Sequence, residues 1–164
     1  MNVLLLSMPD SFEHMPSVAI RMPNGALTSL AGNVDPHHRV AVADLVLVQD
    51  RVRETVERLV AEHKPDVVGL SVMTFQRKTA KKIIDLVRQL KPDVRVAVGG
   101  YDPSLAAEAY TDNSSGVVDF IVRGEGEILF ESSSGRLKKR ADSITSRACR
   151  TGAVTASMTR RTVR

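Results

Sequence analysis

Tryptophan is absent from the chain, and its aromatic residues amount to four Phe and two Tyr. A core built without large rings has to be aliphatic. Cysteine occurs once, as Cys149, which excludes an internal disulfide and any metal or cluster site made from several cysteines of one chain. No apolar run approaches the roughly 18 to 20 residues of a membrane-spanning helix, so no membrane partner is expected. The opening residues MNVLLL lack a basic stretch and a small-residue cleavage site, and read as a first strand, not a secretory leader. A cytoplasmic location is the resulting expectation. What is there, 164 residues with 43% apolar content, suffices for one domain with a core of its own.

Acidic residues are scarce in one place only. From Ser132 onward, nine Lys and Arg face the single acid Asp142, which leaves 14 basic against 18 acidic residues before that point. The high isoelectric point therefore belongs to the tail alone. That tail, 132–164, is rich in Ser, Thr and Arg without a sustained period of two or 3.6, so it is expected to be disordered. A basic arm of this kind can touch nucleic acid or a membrane surface. Its abrupt start after an intact strand and turn suits a non-native ending, such as a shifted reading frame, better. Nucleic acid is not expected as a partner.

Residues 1–131 alternate strands and helices. Val3 to Leu6 is a continuous apolar run, suited to a strand covered on both faces. A loop punctuated by Pro9, Pro16 and Pro23 follows, then a short helix over Ala26 to Asn33. His38 to Val48 reads as the second strand, with Val40, Val42, Leu45 and Leu47 as its apolar positions. Val52, Val56, Leu59 and Val60 recur at helical spacing, and Pro65 ends that helix. Val67 to Val72 is the third strand. In the helix from Gln76 to Leu90, Ala80, Ile83, Val87 and Leu90 share one face, while Arg77, Lys78, Lys81 and Lys82 form a solvated basic one. Val94 to Val98 is the fourth strand. Asp102 before Pro103 reads as a helix N-cap followed by proline at the first helical position, with Leu105 to Tyr110 continuing the helix. Val117 to Val122 is the fifth strand. Strands and helices at this spacing imply an α/β parallel sheet of βα units, whose right-handed crossovers place every strand-to-helix loop along one edge.

Three of those loops carry ligand-type chemistry. Ser71 and Thr74 set hydroxyls just beyond the third strand, able to donate to and accept from an amide or a phosphate. Gly99 and Gly100 end the fourth strand without side chains, which lets backbone lie against a ligand. Gly124, Glu125 and Gly126 do the same after the fifth. Read singly, these features also suit tight turns and helix caps. Together they lie where open α/β sheets hold ligands.

The stretch from Asp66 to Glu127, with VGLSVMT, VAVGGYDPS and VDFIVRGEGE, resembles the N-terminal cobalamin-binding domain of the radical S-adenosylmethionine enzymes. The resemblance covers roughly residues 1–131, weakly in the first third. It implies a flavodoxin-like (Rossmann-like) five-stranded parallel sheet of order 2-1-3-4-5, with helices on both faces and cobalamin at the carboxyl edge. The nucleotide tail of the cofactor would enter beside Ser71 and Thr74. Gly99, Gly100 and Tyr101 would flank it, and Gly124 and Glu125 would close the far side. A bulky residue in place of Gly100 should then abolish binding and leave the fold intact.

Two departures from the family pattern matter. Many cobalamin domains carry Asp-x-His-x-x-Gly after the first strand, with the histidine on cobalt; here the loop reads Asp10-Ser11-Phe12-Glu13-His14, with the wrong spacing and no glycine. His14 lies on the correct edge but is not expected to ligate, His37 and His38 fall on the opposite edge, and His63 ends a helix. Secondly, the CxxxCxxC cluster domain of these enzymes is missing, and Cys149 alone cannot hold an iron–sulfur cluster. The expectation is a cobalamin-binding module without catalytic residues of its own, completed by a separate radical S-adenosylmethionine domain. A cofactor-free scaffold with a basic interaction tail is the alternative. A phosphoacceptor receiver domain is excluded because the third strand ends in Ser71, with no acid there for magnesium or phosphoryl chemistry. A dinucleotide-binding domain would place GxGxxG after the first strand, where this chain has none.

Overall fold

The computed structural model describes residues 1–12, 24–111, 117–123 and 154–155. Its elements run in the order β1 (Asn2–Ser7), α1 (Gly25–Gly32), β2 (Arg39–Asp44), α2 (Val52–His63), β3 (Val67–Ser71), α3 (Arg77–Leu90), β4 (Arg95–Gly99), α4 (Tyr101–Leu105), β5 (Phe120–Ile121) and β6 (Val154–Thr155). Short 3-10 turns cover Leu45–Val48, Thr74–Gln76 and Ala107–Tyr110.

The unbroken apolar run of β1 suits an interior strand, and it lies between β2 and β3. Its residues Leu4 and Leu6 enter the larger core with Val68 and Leu70 of β3, Val96 and Val98 of β4, and the inner faces of α2 and α3. Val3 and Leu5 point the other way, into a smaller core with Leu27 of α1. Alternation along one strand thus commits helices to both faces of the sheet. All neighbouring strands pair in parallel, in the order β2-β1-β3-β4-β5-β6. The flavodoxin-like 2-1-3-4-5 order implied by the family resemblance is borne out, and β6 adds a sixth strand through Phe120↔Val154 and Ile121↔Thr155. That strand falls in the tail expected to lack regular structure, whose other residues lie outside the described ones.

Element ends differ from expectation where a side chain competes for the backbone. The second strand stops at Asp44, because the Asp44 carboxylate accepts from Val46 N at 3.1 Å and turns Leu45–Val48 into a 3-10 helix. As the edge strand, β2 leaves Val42 exposed, and Leu47 in the following turn is exposed as well. In α3 the buried face is Ala80, Ile83, Ile84, Leu86 and Val87. Leu90, expected on that face, is exposed at the end of the helix. The short strand β5 is anchored through Asp119, which accepts from Val96 N at 2.6 Å and from Arg88 Nη2.

At the amino edge, Asp66 Oδ2 accepts from Asn2 N at 2.8 Å, and Asn2 Nδ2 donates to the carbonyl of His63 at 3.0 Å. His63 therefore sits opposite the carboxyl edge, as does His38 at the start of β2. The carboxyl edge is equally well aligned. Ser7 is in register with Asp44 on one side and Ser71 on the other, and Ser71 is in register with Gly99. Four strands end on one row.

Candidate functional site

A strand that ends in serine or glycine gives up its apolar side chains at the point where the sheet meets its loops. Ser7, Ser71 and Gly99 do this on three adjacent strands, and the loops above them are held by side chains of the row and of the turn after β3. Ser7 Oγ donates to Asp44 Oδ1 and accepts from Leu45 N at 3.1 Å, which settles the β2 end. Gln76, buried, works across the middle. Its Oε1 accepts from Met73 N at 3.0 Å, while its Nε2 donates to the carbonyl of Met8 at 2.8 Å and to Asp10 Oδ1 at 3.2 Å. The loops after β1 and β3 are thereby tied together.

The turn after β4 is set by glycine for a reason internal to the fold. Gly100 has φ +100°, and a Cβ there would stand 2.9 Å from both N and O of Val72. The turn lies directly on the β3 loop, fastened by Val72 N to Gly99 O at 2.8 Å and Asp102 N to Val72 O at 3.1 Å. A substitution at Gly100 therefore strains the fold itself. The expectation that a bulky residue there would leave the domain intact is corrected.

Asp102 also departs from its reading as an N-cap. The residue before α4 that takes the cap position is Gly100, and Asp102 is instead fully buried inside the helix. Its carboxylate is chelated by Arg77, Nε to Oδ2 at 2.8 Å and Nη2 to Oδ1 at 2.5 Å, and accepts from the Tyr110 hydroxyl at 2.7 Å. The Arg77 bonds hold the carboxyl below the usual carboxylate range, against the opposing cost of burial, with smaller help from the Tyr110 and Thr74 hydroxyls. Arg77 is raised in turn by its bond to Asp102. Burial first, and then the bond to Asp102, push the Tyr110 phenol upward. Arg77, expected on a solvated basic face, is thus committed to a buried partner. The helix expected to continue to Tyr110 breaks at Ala106 and resumes as the 3-10 turn that delivers this hydroxyl.

Of the residues proposed from sequence, five gather at this edge. Ser71 and Gly99 are half-buried in the last row of the sheet, and Thr74, Gly100 and Tyr101 are exposed above it. Gly124, Glu125 and His14 lie outside the described residues. Tyr101 (60% exposed) is joined at this edge by three further exposed apolar side chains, Met73, Phe75 (66%) and Leu105. Sequence reasoning missed Gln76, Asp102 and Tyr110. The signal for the last two was present, an acid two residues after a glycine pair and a tyrosine eight residues later, but it does not separate a cap from a buried pair. Among the described residues there is no group of three or more His, Cys, Asp or Glu able to hold a metal ion, and no helix is long and apolar enough to cross a membrane.

A parallel sheet of this order, with hydroxyls, a glycine turn and bare apolar side chains along its carboxyl edge, defines a ligand-binding α/β domain of the flavodoxin-like class. The chain belongs to the B12 binding domain family, whose description matches residues 15–133. It is 27% identical over 139 residues to an uncharacterized methyltransferase of Pyrococcus horikoshii, a match covering 85% of this chain and 30% of that protein. Over 86 residues it is 33% identical to the anaerobic magnesium-protoporphyrin IX monomethyl ester cyclase of Rubrivivax gelatinosus, covering 49% of this chain and 14% of the cyclase. Among solved structures, it is similar to the radical S-adenosylmethionine methyltransferase TsrM of Kitasatospora setae. The form with cobalamin and a 4Fe-4S cluster bound aligns with TM-score 0.61 at 24% identity, over 84% of this chain and 25% of that one. The form with tryptophan and an S-adenosylmethionine analogue aligns with TM-score 0.62 at 23% identity, over 84% and 26%. The chain spans less than a third of the length of each of these relatives.

Cobalamin is thus the cofactor of the family to which the chain belongs, and the residues present suit it. A macrocycle fringed with amides needs hydroxyl and backbone partners for its fringe and apolar surface for its ring. This edge carries both kinds of group: the hydroxyls of Ser71 and Thr74 with the Gly99–Gly100 backbone, and the exposed Met73, Phe75 and Tyr101.

Proposed function

We propose that this chain is the cobalamin-holding module of a radical S-adenosylmethionine methyltransferase-type protein, and that the corrin rests on the carboxyl edge of β3 and β4. The observation that carries the reading is the row Ser7, Ser71, Gly99 beneath an exposed set of hydroxyl, glycine and apolar positions. Ser71 and Thr74 would receive the nucleotide tail, Gly99, Gly100 and Tyr101 would flank it, and Gly124 and Glu125 would close the far side. When bound, cobalamin supplies a cobalt centre that accepts and hands on a methyl group. The chain's own contribution is to bind, orient and shield. His37 and His63, at the opposite edge or exposed away from it, take no part, and His14 is not assigned to cobalt.

The exposed apolar side chains also support a partner. Ring-facing residues as open as Phe75 and Leu105 fit a surface that a second domain covers once the cofactor is in place. A radical S-adenosylmethionine domain is that partner in our reading, since it would supply the cluster that Cys149 alone cannot ligate.

An absorbance titration of the purified chain with hydroxocobalamin and with methylcobalamin, followed by gel filtration, tests the reading. Stoichiometric co-elution, with a spectrum showing the benzimidazole base displaced from cobalt, is the expected result. A folded chain that retains neither corrin would instead be a scaffold that has kept the fold and lost the ligand.

A further inference from the structure

The loop after β3 and the glycine turn after β4 belong to different βα units. A parallel ladder fixes the gap between such loops only up to its last hydrogen bond. In this chain the gap is bridged beyond the ladder, first by Asp102 N to Val72 O and then by the side chains of Arg77, Asp102 and Tyr110. Asp102 is the one charged residue among the described residues that is buried. Burying a carboxylate is costly unless it is paired and fully hydrogen-bonded, and an apolar substitute of similar shape often serves stability as well or better. Helix capping does not account for it either, because Asp102 does not cap α4. Its position does: Arg77 opens α3 directly behind Thr74–Gln76, and Asp102 follows Gly100 and Tyr101.

We propose that Arg77, Asp102 and Tyr110 are positioning residues for the cofactor, a clasp that fixes the width between the Thr74 loop and the Gly99–Gly100–Tyr101 turn. The proposal rests on the cobalamin reading of this edge. A planar guanidinium chelating a carboxylate through two bonds defines both distance and orientation, which a lysine ammonium cannot do. Tyr110 donates to Oδ2, the oxygen that also accepts from Arg77 Nε. Sites held by loops need this kind of support, because a displacement of about 1 Å in the walls is enough to lose binding geometry.

The test compares methylcobalamin affinity, visible circular dichroism of the bound corrin, and thermal unfolding across four chains: wild type, Arg77→Lys, Tyr110→Phe and Ile84→Val. The last lowers stability from the core, away from the edge, and serves as the control. Arg77 is a third exposed (34%) and Tyr110→Phe keeps its ring, so both variants should fold. The clasp predicts that each binds on the order of tenfold more weakly, the scale on which outer-shell partners act, with an altered visible dichroism. Ile84→Val should lose comparable thermal stability with affinity and dichroism unchanged. Affinities of Arg77→Lys and Tyr110→Phe within about twofold of a wild type that binds, or an equal loss in Ile84→Val, overturn the clasp alone. A folded wild type that retains no methylcobalamin overturns the cofactor reading, and the clasp with it.

Discussion

Gly100 and Asp102, two residues apart, show how little room the turn after β4 allows. Alanine at Gly100 would place a methyl group 2.9 Å from the Val72 backbone at a φ of +100°. We expect Gly100→Ala to destabilise the domain by about 2 kcal/mol, within the range for such backbone strain, read as a lower urea midpoint with an unchanged slope. Asp102 makes stability depend on acid. Its folded-state pKa lies below the ordinary value, so its contribution is fully present above the unfolded pKa of about 3.9 and is lost as pH falls through the lower folded value. Circular dichroism along an acid titration should show cooperative unfolding in that window. Asp102→Asn should be less stable at neutral pH and should lose less on acidification.

Elements here are held by packing on one face and by single polar anchors at their ends. Helix α3 buries Ile83 and Ile84 completely, and its first turn carries both Gln76, at its cap, and Arg77. Ile83→Ala should cost about 2 to 5 kcal/mol, the usual penalty for an aliphatic cavity, measured by equilibrium denaturation. The cost should fall on the whole domain rather than on the helix alone, because Ile83 belongs to the same core as β1, β3 and β4. Strand β2 illustrates the opposite case. With one side unpaired among the described residues and Val42 exposed, its end is fixed by the bonds of Ser7 and Asp44 ahead of the buried Leu45.

At the scale of the molecule, the excess of basic charge sits after the sheet's five core strands, and β6 is its one described element. Pairing of two residues at an edge adds little to a core that β1, β3 and β4 already close. A chain cut after Glu131 should therefore melt within about 3 °C of the intact one, a shift that corresponds to about 1 kcal/mol or less, and should bind cobalamin as well. A large loss of stability in scanning calorimetry would instead make β6 and its neighbours part of the folding unit.

The apolar runs at Val3–Leu6, Val67–Val72 and Val94–Val98, separated by helices of period 3.6, determined a parallel α/β sheet without help from coordinates. So did the placement of Ser71, Thr74, Gly99 and Gly100 on one edge, since right-handed crossovers leave strand ends no other arrangement. Hydrophobic periodicity and handedness are local or topological, and a sequence carries both. Element ends were legible only to within a few residues, because Asp44 ends its strand through a side-chain bond that propensity does not register, and α4 stops at Leu105 without a proline or glycine to mark it. Tertiary structure alone decided that Asp102 is buried against Arg77 and Tyr110, that Gln76 joins the loops after β1 and β3, and that Gly100 lies on Val72. Each depends on residues brought together from separate βα units, where the partner is chosen by packing distance and desolvation and leaves no mark in the spacing of the chain.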